Sequence, residues 1–305
     1  MTDKDFLILE DLCTMNTDRL FKFVKNYLKS YKFNAFSGGK NHYVAWGSPI
    51  ALVAHLDTVF SEQPKQLFYD RKKDTILALG GGAGFDDRAG VYAILKILKE
   101  TQKLSLPLPT IIITLGEEDY GIGAREAGEE YQNTVNSLNY MIELDRANKN
   151  DCVFYQCTNQ KFKDYIASFG FEQQPGSYTD ITFLMEYLQI CGVNLSIGYY
   201  EEHTNYEYLR PSFLESTIYK VINILSDAEN VEKFEYQIQN YIQKHTCDKC
   251  HKLYSINDLV LVNTLRGEEK YCVSCVLESC NWCKNCKALI DREETDVCPV
   301  CGEDL

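Results

Sequence analysis

Apolar and polar residues recur along most of the chain with two periods, one typical of helices and one typical of strands. Apolar residues at helical spacing predict helices over 16–30, 87–100, 122–130, 160–170, 180–188 and 209–225. Continuous apolar or alternating runs predict strands over 42–46, 49–55, 66–70, 75–79, 110–115, 137–144 and 188–198. Strands that alternate with helices are typical of an α/β fold. We therefore expect a three-layer sandwich with a largely parallel, mixed sheet.

Cysteine placement divides the chain. Nine of the 13 cysteines lie between Cys247 and Cys301, and the other four are scattered. In a reducing compartment, dense Cys-x-x-Cys spacing indicates metal binding more than disulfides. We therefore predict a globular body over 1–228, a helical linker over 229–245 and a small zinc-stabilised C-terminal domain over 246–305.

Charge and hydropathy exclude several classes of protein. The net charge of −13 disfavours non-specific binding to nucleic acid or to anionic membranes. No apolar run approaches the ~20 residues that span a bilayer. Residues 1–16 are acidic and carry only a short apolar patch, so we expect no signal peptide and a cytoplasmic location.

Histidines and carboxylates follow the predicted strands at the points where those strands end. The residues in this pattern are His55, Asp57, Asp86, Asp87, Glu117, Glu118, Asp145 and His203. Ligands of α/β proteins bind outside the carboxyl ends of the strands. Each residue alone has an ordinary explanation, such as a helix cap, a turn or a solvated charge. Together they form a ligand set that suits zinc.

These residues lie in five ordered segments: AHLDT (54–58), GFDDRAG (84–90), GEED (116–119), ELD (143–145) and HTNYEYL (203–209). The set resembles the co-catalytic zinc exopeptidases, which comprise aminopeptidases, carboxypeptidases and deacylases with two metals in one site. The resemblance covers roughly residues 40–228. It implies the zinc-exopeptidase fold and a hydrolase that uses a water bridging two metals.

The resemblance also implies a role for each matched residue. The implied metal ligands are Asp86 as the bridge, His55 and Asp145 at one site, and Glu118 and His203 at the other. Its place in the motif favours Asp86 over Asp87. Asp57 matches the carboxylate that orients the first histidine. Glu117 matches the general base, which takes the proton of the water and returns it to the leaving amine.

The chain departs from many members of the family between Asp145 and His203. Only residues 146–202 lie there, so an inserted lid domain is absent and its substrate contacts are missing. Tyr199, Tyr200 and Arg88 are candidate replacements, but ordinary core or surface packing is favoured for each of them. Asp180, in the segment before the last motif, either supports the site, binds a substrate amine or caps a helix.

The C-terminal domain contains two sets of paired cysteines that suit tetrahedral structural zinc. The first set is Cys247, Cys250, Cys272 and Cys275, and the second is Cys283, Cys286, Cys298 and Cys301. They resemble zinc-ribbon or rubredoxin-type knuckles, and zinc is expected to supply much of this domain's folding free energy. Cys280 is left over and is an alternative to Cys283 or Cys286.

The expected function is hydrolysis of a terminal peptide bond, with an aminopeptidase favoured over an N-acyl amino-acid deacylase. A non-catalytic, protein-binding scaffold on the same fold is the alternative from another class. The expected cofactors are two catalytic divalent metals, zinc first and cobalt or manganese next, and two structural zinc ions. Residues 246–305 hold seven Lys/Arg and eleven Asp/Glu, which favours a protein partner over nucleic acid.

Overall fold

The computed structural model describes residues 1–133, 138–228, 231–238, 245–254, 258–293 and 295–304. The chain divides into a first unit, Met1–Ile238, and a second unit, Gln239–Leu305. No helix within these described ranges combines the length and the apolar character needed to cross a membrane.

The first unit alternates helices and strands as the sequence predicts. Its helices are α1 (Asp3–Thr14), α2 (Thr17–Lys29), α3 (Phe85–Lys103), α4 (Ile122–Tyr131), α5 (Gln160–Ser168), α6 (Asp180–Leu188) and α7 (Pro211–Asp227). Its strands are β1 (Ala35–Gly38), β2 (His42–Trp46), β3 (Ser48–His55), β4 (Gln66–Asp70), β5 (Thr75–Leu79), β6 (Pro109–Thr114), β7 (Tyr140–Arg146), β8 (Asp151–Val153), β9 (Glu172–Gln173), β10 (Cys191–Ser196), β11 (Tyr199–Tyr200) and β12 (Tyr208–Leu209).

An eight-stranded sheet in the order β1-β2-β6-β3-β7-β10-β8-β9 forms the centre of the first unit. Strands β6, β3, β7 and β10 are parallel, and β2 and β8 flank them in the antiparallel direction. All six residues of β6 are buried, so helices cover both faces of the sheet. This arrangement confirms the predicted three-layer fold with a largely parallel, mixed sheet. The carboxyl ends of the parallel strands therefore meet at one edge.

A smaller sheet in the order β11-β12-β5-β4 carries the loop that contains His203. Residues 146–202 contribute α5, α6 and strands β8 to β11, and they form no separate domain. This agrees with the absence of a lid that the sequence predicts.

Two features of the first unit differ from the sequence prediction. Helix α1 was not predicted, and it begins at a capping box in which Thr2 and Asp5 bond reciprocally. The sequence predicts a helical linker, but residues 231–238 form no helix, and Phe234 packs against Tyr140 and Phe162. The rest of the predicted linker lies mainly outside the described residues.

Arg88 is buried beneath the sheet edge and contacts backbone carbonyls. Its guanidinium donates hydrogen bonds to the carbonyls of Leu12 (2.7 Å), Met15 (2.9 Å) and Leu56 (2.8 Å). These bonds fix the connection between α1 and α2 to the end of β3. Arg88 is not among the residues that line the candidate cavity, so it has the packing role that the sequence analysis favours over replacement of a lid residue.

Replacing Arg88 by Met should lower the free energy of unfolding by about 3 kcal/mol or more, because three carbonyls would lose a buried donor. Urea unfolding followed by circular dichroism measures the change. Arg71→Met is the control: Arg71 is half exposed and pairs with Asp3 at the surface, so we expect a change below about 1 kcal/mol. Equal losses in the two variants would contradict this role for Arg88.

The second unit is built on short strands around the two cysteine sets. Its elements are β13 (His245–Thr246), β14 (Leu253–Tyr254), β15 (Leu259–Thr264), β16 (Gly267–Cys272), α8 (Val273–Ser279), β17 (Cys280–Trp282) and β18 (Leu289–Asp291). A four-stranded sheet in the order β16-β15-β18-β17 joins the two sets. Asp291, buried in β18, accepts hydrogen bonds from Lys249 and from the Tyr271 hydroxyl, both at 2.8 Å.

Candidate active site

His55 is the last residue of β3, and its imidazole is buried at the carboxyl edge of the central sheet. Its Nε2 lies 3.1 Å from Asp86 Oδ1 and 3.7 Å from Asp145 Oδ1. Its Nδ1 lies 3.1 Å from the Asp57 carbonyl oxygen and 3.6 Å from Asp57 Oδ1. One ring nitrogen therefore faces two carboxylates while the other is held by Asp57.

Asp86 lies between the two histidines. Its Oδ1 is 3.1 Å from His55 Nε2, and its Oδ2 is 3.1 Å from His203 Nε2. Although burial alone would raise it, the two histidines hold the pKa of Asp86 well below its usual range. A carboxylate with one oxygen directed to each histidine has the placement needed to bridge two metals.

Asp87 has a different environment, although it is fully buried beside Asp86. Its Oδ2 accepts a hydrogen bond from the His55 N–H (3.1 Å), and its Oδ1 accepts one from the Gly90 N–H (3.0 Å). The Asp86–Asp87 peptide is cis. Because both oxygens of Asp87 face backbone donors, the geometry favours Asp86 over Asp87 as the bridging ligand.

His203 approaches the same point from the β11–β12 loop. Its Nε2 lies 3.1 Å from Asp86 Oδ2 and 3.2 Å from Glu118 Oε1, and half of its side chain is exposed. Hydrogen bonds to Asp86 and then to Glu118 raise the pKa of His203 to about 11. His203 thus lies seven residues beyond β10, in a loop of the smaller sheet, and does not directly follow the buried strand β10.

Asp57 connects His55 to the loop that follows β6. Its Oδ1 accepts from the Gly116 N–H (2.7 Å), and its Oδ2 accepts from the Glu118 N–H (3.2 Å). Burial alone would raise the pKa of Asp57, but hydrogen bonds from His55 and the backbone lower it to about 2. A single carboxylate therefore orients the histidine and fixes the backbone that carries Glu117 and Glu118.

Asp145, near the end of β7, is held by neighbouring hydroxyl groups. Thr179 Oγ1 lies 3.0 Å from Asp145 Oδ2, and the Tyr199 hydroxyl donates to Oδ1 at 3.2 Å. Burial and then the charge of Asp86 raise the pKa of Asp145 to about 7. Thr179 Oγ1 also lies 3.1 Å from Glu143 Oε1, and burial raises the pKa of Glu143 well above its usual range.

A cavity of about 230 Å³ opens beside these residues. It is lined by Asp86, Glu117, Asp145, Arg146, Ala147, Asn148, Tyr155, Ser177, Tyr178, Thr179, Asn194, Tyr199, Glu202 and His203. Burial raises the pKa of Glu117 to about 8, and nearby carboxylates, Asp145 among them, add to this shift. Glu117 is in neither of the two clusters of metal-ligand atoms that the structure brings together, so its carboxyl is available for proton transfer.

The donor set fits divalent metal. Ligand atoms of His55, Asp86 and Glu118 lie within 4.8 Å of one another, and so do those of His55, Asp87 and Asp145. His203 extends the first group through its contacts with Asp86 and Glu118. Imidazole and carboxylate donors in this combination suit zinc and its neighbours cobalt and manganese.

Several residues around the site were missed or left open by the sequence analysis. Glu207 is buried, accepts a hydrogen bond from the Asp86 N–H at 2.9 Å and has a pKa raised by burial to about 8. Asp180 is the first residue of α6, but the N-cap of that helix is Thr179. The Asp180 side chain instead accepts a hydrogen bond from the Thr114 hydroxyl. Tyr199 lines the cavity, whereas Tyr200 stacks on Tyr208.

The second unit brings together the two predicted cysteine sets. Each set places its four Sγ atoms within 4.8 Å of one another. Sγ–Sγ distances are 3.9 Å for Cys250–Cys272, and 3.6 Å for both Cys283–Cys301 and Cys286–Cys298. A tetrahedral zinc with Zn–S bonds of about 2.3 Å requires edges of about 3.8 Å. The cysteines are free thiols, and Cys280 lies outside both sets.

Three of the Cys-x-x-Cys pairs end in the same tight turn. The residue after the second cysteine has a positive φ and donates its N–H to the carbonyl of the first cysteine. These residues are His251 (φ 60°, 2.8 Å to Cys247), Lys287 (φ 61°, 3.0 Å to Cys283) and Gly302 (φ 76°, 2.8 Å to Cys298). The shared turn supports the knuckle interpretation and gives His251 a backbone role.

Replacing Cys286 by Ser should remove about one zinc ion per chain, because a tetrahedral thiolate site would lose a ligand. Elemental analysis of the purified full-length protein measures the loss. Cys280→Ser is the matched control and should retain all the zinc. If Cys280→Ser lost zinc instead, the membership of the second set would have to be revised.

The fold of the chain is similar to that of several solved structures. No protein-family model matches the chain, and no curated protein sequence matches it. The solved structures similar to it include aminopeptidase PepT from Bacillus cereus ATCC 10987, with 14% identity, TM-score 0.58, and coverage of 75% of this chain and 99% of that one. Over that part of its length, the chain shares the fold of this aminopeptidase.

Two further solved structures share this fold. A tripeptidase from Staphylococcus aureus subsp. aureus Mu50 has 13% identity and a TM-score of 0.61, covering 76% of this chain and 100% of that one. A TET aminopeptidase from a marine sediment Thaumarchaeota archaeon has 13% identity and a TM-score of 0.59, covering 73% and 97%. At these identities the likeness concerns the fold, and it confirms the predicted fold class.

Proposed function

We propose that the chain is a metal-dependent hydrolase that cleaves a terminal peptide bond, with aminopeptidase activity favoured. The observation that carries this proposal is the position of Asp86, whose two oxygens each lie 3.1 Å from a different histidine. Glu117 lines the same cavity and is free of both ligand groups. The similar solved structures include aminopeptidases and a tripeptidase, which agrees with this choice.

His55, Asp86, Glu118, Asp145 and His203 would hold two divalent metals. Bound there, the metals would polarise the scissile carbonyl and lower the pKa of water. Glu117 accepts the proton of the attacking water and delivers it to the leaving nitrogen. A pKa near neutrality suits both halves of this transfer.

The other side chains of the site position these groups. Asp57 fixes the tautomer and orientation of His55 and holds the loop of Glu117. Tyr199 and Thr179 hold the Asp145 carboxylate. Since the similarity to known structures concerns the fold, these assignments depend on the contacts within this chain.

Residues 246–305 serve a structural and docking role in this proposal. Each cysteine set would hold one zinc ion, and metal would stabilise a unit with a small core. The excess of acidic residues favours a protein partner over nucleic acid.

A hydrolysis assay on the full-length, zinc-loaded protein tests this function. The substrates are leucylglycine, which has a free amino terminus, and N-acetylleucine, which has an acyl group in its place. Cleavage of leucylglycine, lost with 1,10-phenanthroline and restored by zinc, supports the aminopeptidase. Cleavage of N-acetylleucine alone supports the deacylase. Cleavage of neither, in a protein with both catalytic metals bound, contradicts both and favours the scaffold.

A further inference from the structure

The cavity of the candidate active site contains one strongly basic side chain. Among the residues described around it, Arg146 is the only Lys or Arg, and the other charged side chains are acidic apart from His203. Arg146 is the last residue of β7 and directly follows the ligand Asp145. It therefore places a positive charge beside the site where a substrate would bind.

The guanidinium of Arg146 is held in place but incompletely satisfied. Its Nη2 donates to the Pro175 carbonyl at 3.0 Å and lies 3.8 Å from Asp151 Oδ2, which is beyond hydrogen-bonding distance. Its Nε is buried and has no hydrogen-bond partner among the described residues, and no hydrogen bond from Nη1 is found there either.

The unpaired Nε is costly, because a buried, charged donor loses its water without gaining an acceptor. Guanidinium has five donors in a fixed planar arrangement that matches a carboxylate in two-point contact. A carboxylate bound in the cavity would supply an acceptor for Nη1, while Nη2 stays bound to the Pro175 carbonyl.

We propose that Arg146 is a specificity residue that binds a carboxylate of the substrate. This inference rests on the proposed hydrolase function and names its substrate class: short, anionic peptides or amino-acid derivatives. The cavity of about 230 Å³ has room for about one or two residues of the substrate. Apart from the metal ligands, the other charged side chains of the cavity are Glu117 and Glu202, so Arg146 is the group in the lining that attracts a carboxylate.

The carboxylate has two chemical sources, a free carboxyl terminus or an acidic side chain. Leucylglycine against leucylglycinamide varies the terminus alone. Glutamyl-4-nitroanilide against glutaminyl-4-nitroanilide varies the side chain alone. Each pair is measured as kcat/KM with the zinc-loaded, full-length wild type, with Arg146→Gln and with the control Arg71→Gln, whose exposed arginine pairs with Asp3.

In at least one pair the wild type should prefer the acid by about tenfold or more, the worth of one charge-assisted contact. Arg146→Gln should lose this preference, with a larger fold-loss of kcat/KM on the acid than on its neutral partner, and for the acid it should raise KM more than it lowers kcat. Arg71→Gln should behave as wild type. No preference in the wild type, or an equal loss of Arg146→Gln on acid and neutral substrates, would overturn the proposal.

A binding measurement separates failure of this proposal from failure of the proposed function. If no substrate is cleaved, the hydrolase is wrong, and calorimetry then compares the affinities of leucylglycine and leucylglycinamide, and of the two anilides, for the same proteins. Tighter binding of an acid by wild type, but not by Arg146→Gln, would still support a carboxylate site. Equal affinities within both pairs would reject it.

Discussion

Replacing Glu117 by Gln is expected to lower kcat by about 10²–10⁴-fold, the range typical of a lost general base. Glutamine has nearly the same shape but cannot accept the water proton. Glu117 lies in the cavity and in neither metal-ligand group, so both catalytic metals should remain bound. Initial rates with leucylglycine and elemental analysis measure the two quantities on the same sample.

Asp119→Asn is the matched control for this variant. Asp119 lies in the same loop, its side chain is exposed, and it is absent from the cavity. The rate of Asp119→Asn should stay within about threefold of the wild type, as expected for a substitution outside the reacting groups. A fully active Glu117→Gln would reject Glu117 as the base, and a variant that lost its metals would make Glu117 a ligand.

Replacing Asp86 by Ala is expected to abolish measurable turnover and to release both metals of the first unit. The reason is that the Asp86 carboxylate contacts one histidine of each proposed metal site, His55 and His203, at 3.1 Å each. Removing it also leaves His55 and His203 without their common partner. Elemental analysis should find the metal content reduced to that of the two cysteine sets.

Asp87→Asn provides the comparison that distinguishes the two adjacent carboxylates. Both Asp87 oxygens accept backbone hydrogen bonds, from His55 and Gly90, and an amide can replace only one acceptor. We expect retained metals and a free energy of unfolding lower by about 1–3 kcal/mol, measured in urea. Retained metals in Asp86→Ala, together with lost metals in Asp87→Asn, would exchange the two roles.

Much of the fold followed from local patterns in the sequence. Continuous apolar runs such as 110–115 predicted buried strands, and the polar residues after them predicted the edge where the site lies. The prediction that these polar residues meet at one edge holds for His55 and Glu118, whose ligand atoms lie within 4.8 Å of each other. Parallel strands make this possible, because their carboxyl ends share one edge.

The remaining features depend on contacts between distant parts of the chain. Residues 231–238 have an apparently helical pattern, but Phe234 packs among aromatic rings and its N–H donates to the Asn139 side chain, so tertiary contacts override local propensity. From the sequence, Glu207 is expected at the surface. Only the hydrogen bond that it accepts from the Asp86 N–H shows that it belongs to the site. Helix α1 could have been found from its Thr2–Asp5 capping box.

We expect the first unit to hold two metal ions in addition to those of the cysteine sets. The most direct test is the metal content of purified full-length protein after dialysis against metal-free buffer. The two cysteine sets and the His/carboxylate cluster together predict four ions per chain. Two ions per chain, with no further uptake of added zinc, cobalt or manganese, would contradict a two-metal centre in the first unit. The His/carboxylate cluster would then lack the ions that its chemistry requires.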